Sequence, residues 1–332
     1  MSQTERQRAT AGLMLFVGLS FLGSWFVAAA LRIFGLTVAP SSLGTRLFTM
    51  SLLYAVSMGF QPIVATWIVR RWVDPPDRLD LGLRPSRPMF SVIGAASALA
   101  FAAAATLVAW GAARVGLASP RALHGSAEVA FSADTPSAAS IVGLALAFAA
   151  TLVLIWIQAF AEEVGWRGYF LPRAMERLGK WRGLVLHGAV WGLWYAPVLF
   201  FASYGKLDPF GSLGRSLSFV VTCMLLGTVF GWLRLASRSL APVVIANSTL
   251  TLAAGLPYVV HGVDAGTRGA AFGPAGWVVL LLVIASLLLS RFRSVVQIPE
   301  RLAAPPEPST GMLGRVWLAV EGSRATRDRV LH

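Results

Sequence analysis

The chain has 332 residues, of which 56% are hydrophobic and 13% charged, with a formal net charge of +13. It is more apolar than a soluble domain, and its hydrophobic residues fall in blocks of about 20, the length that spans a bilayer. The basic residues sit in short connections between those blocks, which excludes a nucleic-acid-binding module and points to loops held on the inner face of a membrane.

Eight apolar blocks follow in order, at about 13–36, 47–69, 90–112, 140–161, 184–201, 216–235, 239–260 and 270–289. They predict an all-α, polytopic helical bundle of about eight transmembrane helices. The first block follows Arg6 and Arg8, as a signal peptide would, but it is too long for an ordinary h-region and reads as a retained helix. Gln61-Pro62 predicts a kink in the second block, because proline removes a helix hydrogen bond. The stretch 74–88 reads as an ordered surface turn rich in Pro, Asp and Arg, and 113–139 as a plain connection. Beyond residue 290, Pro305, Pro306 and Pro308 among charges predict a mobile tail with a short surface helix near 312–320.

The division is therefore 1–12 as a cytoplasmic segment, 13–290 as the transmembrane domain and 291–332 as a cytoplasmic tail. Most of the 28 basic residues fall on one side if both termini are cytoplasmic, which predicts that topology in a multi-pass cell (inner) membrane protein. Lys180 and Lys206 are the only lysines, a composition typical of a GC-rich bacterial genome. Cys223 is the single cysteine and lies in an apolar block, so one chain offers no disulfide framework and no cysteine-based zinc site.

Among the 15 acidic residues, Glu162 and Glu163 alone adjoin the end of an apolar block with no turn signal between. Carboxylates at that depth are costly and need a partner, a wet cavity or a chemical task. Glu163 and Arg167 stand at i,i+4 and can pair, while Glu162 shares a helix face with Gln158 and Trp166. Two readings stand at this point: an interfacial salt-bridge cluster that ends a helix, or a functional site. Asn247, Ser248 and Thr251 add three polar groups to one apolar helix, which suggests a polar cavity facing Glu162. Trp166, Trp191 and Trp194 read as packing or interface anchors. His187 and His261 read as interfacial, and His187 lies about 12 Å along the helix from Tyr195. His124 and His332 fall in water-exposed segments and carry no signal.

Glu162-Glu163-x-x-x-Arg167, continuing Gly168-Tyr169-Phe170-Leu171-Pro172-Arg173, resembles the first motif of the CPBP family of intramembrane proteases. That family includes the type II CAAX prenyl endopeptidases and bacteriocin-processing or immunity relatives. Trp191-Gly192-Leu193-Trp194-Tyr195-Ala196-Pro197 and Ser239-Leu240-Ala241-Pro242 through Asn247 are similar to its second and third motifs, and the resemblance covers a protease-like core of about 80–260. It implies a catalytic glutamate, an arginine that fixes its partner, a histidine in each later motif, and an asparagine four residues after the second of these. Here those three later positions are Tyr195, Asn247 and Thr251.

The departure has chemical consequences. A hydrolytic zinc site takes about three N or O protein ligands plus water, and the family's zinc ligands are not retained, so no cofactor is expected. One reading is an endopeptidase acting on membrane-associated or lipidated peptides, with Glu162 as base, Glu163 and Arg167 orienting, and Asn247 and Tyr195 stabilising an oxyanion. The other is a catalytically silent relative that binds a peptide or membrane-protein partner in the same cavity. Besides these, the only partner expected is the lipid bilayer. A small-solute permease finds no support in repeat symmetry or paired broken helices.

Overall fold

The computed structural model describes residues 3–33, 49, 52–53, 55–74, 80–116, 138–196, 209–261 and 270–290. Most of the 113–139 connection and the 291–332 tail, with its expected short helix, lie outside the described residues. Among the described residues the fold is all helical. The elements are α1 (Gln3–Ile33), a π turn (Ala55–Gly59), α2 (Gln61–Trp72), α3 (Pro88–Arg114) and α4 (Ala138–Glu163). A π segment (Val164–Phe170), α5 (Leu171–Leu178), α6 (Lys180–Trp194), α7 (Pro209–Ser237), α8 (Ala241–His261), a 3-10 turn (Ala270–Phe272) and α9 (Pro274–Leu289) complete the order.

The described part of each expected span is helical, with the second divided between the π turn and α2. Four stretches are long and apolar enough to cross a membrane: Gln7–Val27, Pro88–Arg114, Ala145–Leu178 and Ser216–Ser237. Ala241–Ala253 and Pro274–Leu289 are shorter apolar helices. The protein is thus a multi-pass membrane helical bundle. Leu22, Phe26, Leu107, Leu146, Leu282 and Leu289 are exposed on its outside, as side chains that meet lipid should be.

Local chemistry sets the breaks. Proline opens α3 and α9 within their first two positions, where its missing N–H costs no bond. Gln61-Pro62 does more than kink the second span: a π turn ends at Gly59 and a new helix starts at Gln61. Gly179, at φ +83°, closes α5 in the left-handed region and turns the chain into α6, its N–H bonding the Met175 carbonyl at 2.9 Å. Helix α1 begins at Gln3, so the expected N-terminal segment is largely part of the first helix.

Small residues set the closest helix contacts. Gly188 and Gly192 of α6 lie against α7, where a Cβ on Gly188 would stand 2.6 Å from the Cys223 carbonyl oxygen and the Met224 Cα. Gly227 of α7 faces Gly188 in return. Close backbone approach through small residues is how helices associate where burial from water contributes nothing.

Two polar knots tie the ends of helices together, and both include acidic residues that were expected in water. Asp74, just beyond α2, is buried and accepts Arg173 Nε and Nη2 at 2.8 Å each and the Tyr169 hydroxyl at 2.9 Å. Asp80 accepts the Gly82 N–H at 2.8 Å and a bond from Arg84, while its carbonyl accepts Arg234 Nη2 at 3.0 Å. Gly82 has φ +77° and lies so close to the Arg234 guanidinium that no side chain fits there. Its carbonyl accepts the Leu240 N–H at 2.9 Å, and Arg84 Nε donates to the Arg238 carbonyl at 2.9 Å. The 80–84 turn therefore fixes the start of α8.

The α6–α7 contact gives the first test. Gly188→Val, placed against backbone that cannot move aside cheaply, is expected to destabilise the fold by about 1–3 kcal/mol, as overpacking does. Gly214→Ala, with nothing within 4 Å of the added atom, should leave it unchanged. Unfolding midpoints in detergent compare the two, and equal midpoints would refute the close-packed seam.

Candidate functional site

The site forms where α4 changes pitch. A continuous α-helix would drive the Pro172 ring into the carbonyl four residues earlier. Instead the chain widens into π geometry over Val164–Phe170, and the Leu171 N–H bonds the Trp166 carbonyl, five residues back. Such wide turns occur preferentially at functional sites. All seven residues of the segment are buried.

Glu163 and Arg167 bracket the start of this segment and both are fully buried. Arg167 Nη1 donates to Glu163 Oε1 at 2.9 Å, the pairing expected from their spacing. Asn247 Nδ2, from α8, donates to the same oxygen at 2.9 Å. The Arg167 guanidinium lies 3.9 Å from the centroid of the Trp191 ring on α6 and 5.4 Å from that of Phe230 on α7. A desolvated cation over an aromatic face gains about 2 kcal/mol, which helps offset its removal from water. Four helical segments thus converge on one ion pair.

Glu162 is also buried, and the Tyr195 hydroxyl donates to its Oε2 at 3.0 Å. Thr251 Oγ1 reaches Asn247 Oδ1 only at 3.5 Å, so it stands behind Asn247 and not against a glutamate. The structure therefore brings all six expected residues together: Glu162, Glu163, Arg167, Tyr195, Asn247 and Thr251. Glu162, Glu163 and Arg167 are each 2% exposed or less, so none of the three is laid open to lipid headgroups.

The arrangement differs from expectation in three ways. The Tyr195 hydroxyl and Asn247 carboxamide, expected to face an oxyanion, each donate to a carboxylate of the pair. Trp166 leaves the Glu162 face because the π segment shifts the helical phase, and it packs instead on Phe16 and Trp194 at 5.2 and 5.5 Å between ring centroids. His187 is fully buried under Phe170 rather than interfacial, 6.2 Å between ring centroids. Sequence reasoning also missed Ser20 and Ser24, buried on α1, where the Trp194 indole N–H donates to Ser24 Oγ at 2.7 Å. Their signal was two serines at i,i+4 inside an apolar block.

Zinc does not fit this donor set. Glu163 Oε1 already accepts two donors, and the positions facing the glutamates carry a carboxamide and a phenol whose hydrogens point at the carboxylates. Among the described residues no three His, Cys, Asp or Glu side chains gather in one place.

Comparison with known proteins meets this geometry at the same segment. Residues 144–253 match the Rce1-like family, described as type II CAAX prenyl endopeptidase Rce1-like. Over 92 residues, 27% of the chain, the sequence is 29% identical to CAAX prenyl protease 2 of Methanococcus maripaludis. That match spans 34% of the relative, so the chain covers about a third of its length.

The ion pair supplies the second test. Removing one partner strands a buried charge, so Arg167→Ala is expected to cost about 3–5 kcal/mol of stability. Asn247→Ala, which deletes one of two donors to a carboxylate, should cost about 1.5–3 kcal/mol. Thermal unfolding in detergent measures both, and an Arg167→Ala protein as stable as the parent would show that the pair is not the brace described.

Proposed function

We propose that the chain, whose residues 144–253 match the Rce1-like family of type II CAAX prenyl endopeptidases, is an intramembrane endopeptidase acting on peptide segments of membrane-associated, lipidated proteins. The observation that carries this reading is the division of labour between the two glutamates. Glu163 is taken up by Arg167 and Asn247 through one oxygen, which suits a positioning role. Glu162, which accepts a hydrogen bond from the neutral Tyr195 hydroxyl, is the carboxylate suited to act as base.

In the proposed reaction Glu162 takes a proton from water as the water oxygen bonds to the scissile carbonyl carbon. Negative charge develops on the carbonyl oxygen, and the Tyr195 hydroxyl, released as Glu162 takes up the proton, turns to donate to it. The carbon–nitrogen bond then breaks, and Glu162 returns the proton to the departing amine. Asn247 holds Glu163 in place of binding the oxyanion, and Thr251 backs Asn247. No step uses a metal or other cofactor. The site opens toward the cytoplasm, with both termini on that side of the cell membrane.

A second reading rests on the same Tyr195 contact. A phenol that donates to Glu162 competes with water for the carboxylate, which favours a silent relative that holds a peptide without cutting it. Purified protein incubated with lipidated and transmembrane reporter peptides separates the two. For the peptidase, Glu162→Ala abolishes cleavage, Tyr195→Phe lowers kcat by about 100-fold, and chelators change nothing. Binding without turnover in the parent protein would establish the silent reading, and a rate that falls with chelator would refute the metal-free mechanism.

A further inference from the structure

Glu162 lies deep in an apolar bundle, and hydrolysis there needs water that hydrocarbon does not supply. One wall of the site is nevertheless polar. Ser20 and Ser24 on α1, Gln61 at the head of α2 and Gln158 one turn before Glu162 on α4 face the same seam. Gly23 brings Gln61 Oε1 against α1, and Gly59 brings Gln158 against the π turn that precedes α2. Trp194 crosses the seam, its indole N–H shared between the Ser20 carbonyl at 3.1 Å and Ser24 Oγ at 2.7 Å. The next residue, Tyr195, carries the hydroxyl that meets Glu162.

Three polar atoms along this seam have no hydrogen-bond partner among the described residues: Ser20 Oγ, Gln158 Oε1 and Trp166 Nε1. Their side chains are 0%, 4% and 0% exposed. The set is complementary, since the indole only donates, the amide oxygen only accepts and the hydroxyl does both. Gln158 precedes Glu162 by one turn, and Trp166, turned off that face by the π segment, packs on Phe16 and on the Trp194 indole that bonds Ser20 and Ser24. Ser20 sits between them, because Phe16, one turn earlier on α1, packs on Trp166 and Gly23 already touches Gln61.

We propose that the seam between α1, α2 and α4 is an internal water-binding site that conducts water to Glu162. Water is the ligand that matches spaced donors and acceptors in so narrow a place, and buried water typically makes two to four such bonds. A hydrocarbon or peptide side chain threaded there would leave the indole or the amide unmatched. The seam fills by Ser20 and Gln158 bonding successive waters, with Trp166 donating at one end. Consumption of that water by Glu162 rests on the peptidase reading; the presence of the water does not.

The test reads the Trp166 indole directly. The full chain is labelled with 15N-tryptophan and placed in lipid nanodiscs, and the Trp166 resonance is identified by its loss in Trp166→Phe. A cross-peak to water is expected, with indole hydrogen exchange at least tenfold faster than in Ser20→Ala/Gln158→Leu. Trp277, whose indole donates to Thr222 Oγ1 at 2.8 Å far from the seam, should exchange equally in both and reports an intact fold. Ser20→Ala alone, the milder change, should slow Trp166 by about threefold if the double variant does not fold. No water cross-peak, or an exchange rate that ignores both substitutions, overturns the proposal. Peptide cleavage is scored separately: a wet seam without cleavage removes only the peptidase reading, and a dry seam with cleavage removes only this one.

Discussion

The structure depends on keeping one ion pair satisfied in a low-dielectric interior. Glu163 and Arg167 are both removed from water, and a bare charge in that setting would cost several kcal/mol. The solution draws on four parts of the chain. The π segment sets the two side chains one wide turn apart, α8 contributes Asn247, and α6 and α7 contribute the aromatic faces of Trp191 and Phe230. Disturbing any of these helices loosens the pair, so the pair makes helix packing and site geometry a single constraint.

The glycines and the proline around the site serve that constraint. Pro172 forces the change of pitch that separates Glu163 from the buried aromatic cluster of Trp166, Tyr169 and Phe170. Gly165 admits Pro62, whose carbonyl oxygen would stand 2.8 Å from an added Cβ, and Gly168 admits the Leu81 carbonyl at 3.1 Å. Through these contacts the two polar knots at Asp74 and Asp80 reach the site: one holds α2 and α5 against the π segment, the other sets where α8 begins. The 80–84 turn thereby governs where Asn247 meets Glu163.

The helical class and the order of the spans were legible because apolar blocks of bilayer length leave few alternatives. The Glu163–Arg167 pair was legible because i,i+4 spacing on a helix is a local property. Other features depend on contacts between segments remote in sequence, and no local pattern encodes them. Asp74 read as a surface residue, since nothing near residue 74 announces that Tyr169 and Arg173 will close over it. His187 read as interfacial for the same reason, and its burial follows from Phe170 and the bare face of Gly227. The phase shift that withdraws Trp166 needed the proline six residues later to be read as a cause of π geometry rather than as a helix end.

Tyr195 and Asn247 obey a common rule. Tyr195 and Asn247 are both hydrogen-bond donors, neither is charged near neutral pH, and each is aimed at one member of the acidic pair. A carboxylate buried among helices needs donors whether or not it takes part in a reaction, because an unmatched charge would destabilise the bundle. An apolar residue at either position would have left a glutamate with one donor fewer, and a carboxylate there would have added repulsion. Donors at these two positions therefore preserve the electrostatic balance of the glutamates. The Tyr195 hydroxyl meets Glu162 at 3.0 Å, which ties any chemistry on that carboxylate to whether water can share it with Tyr195.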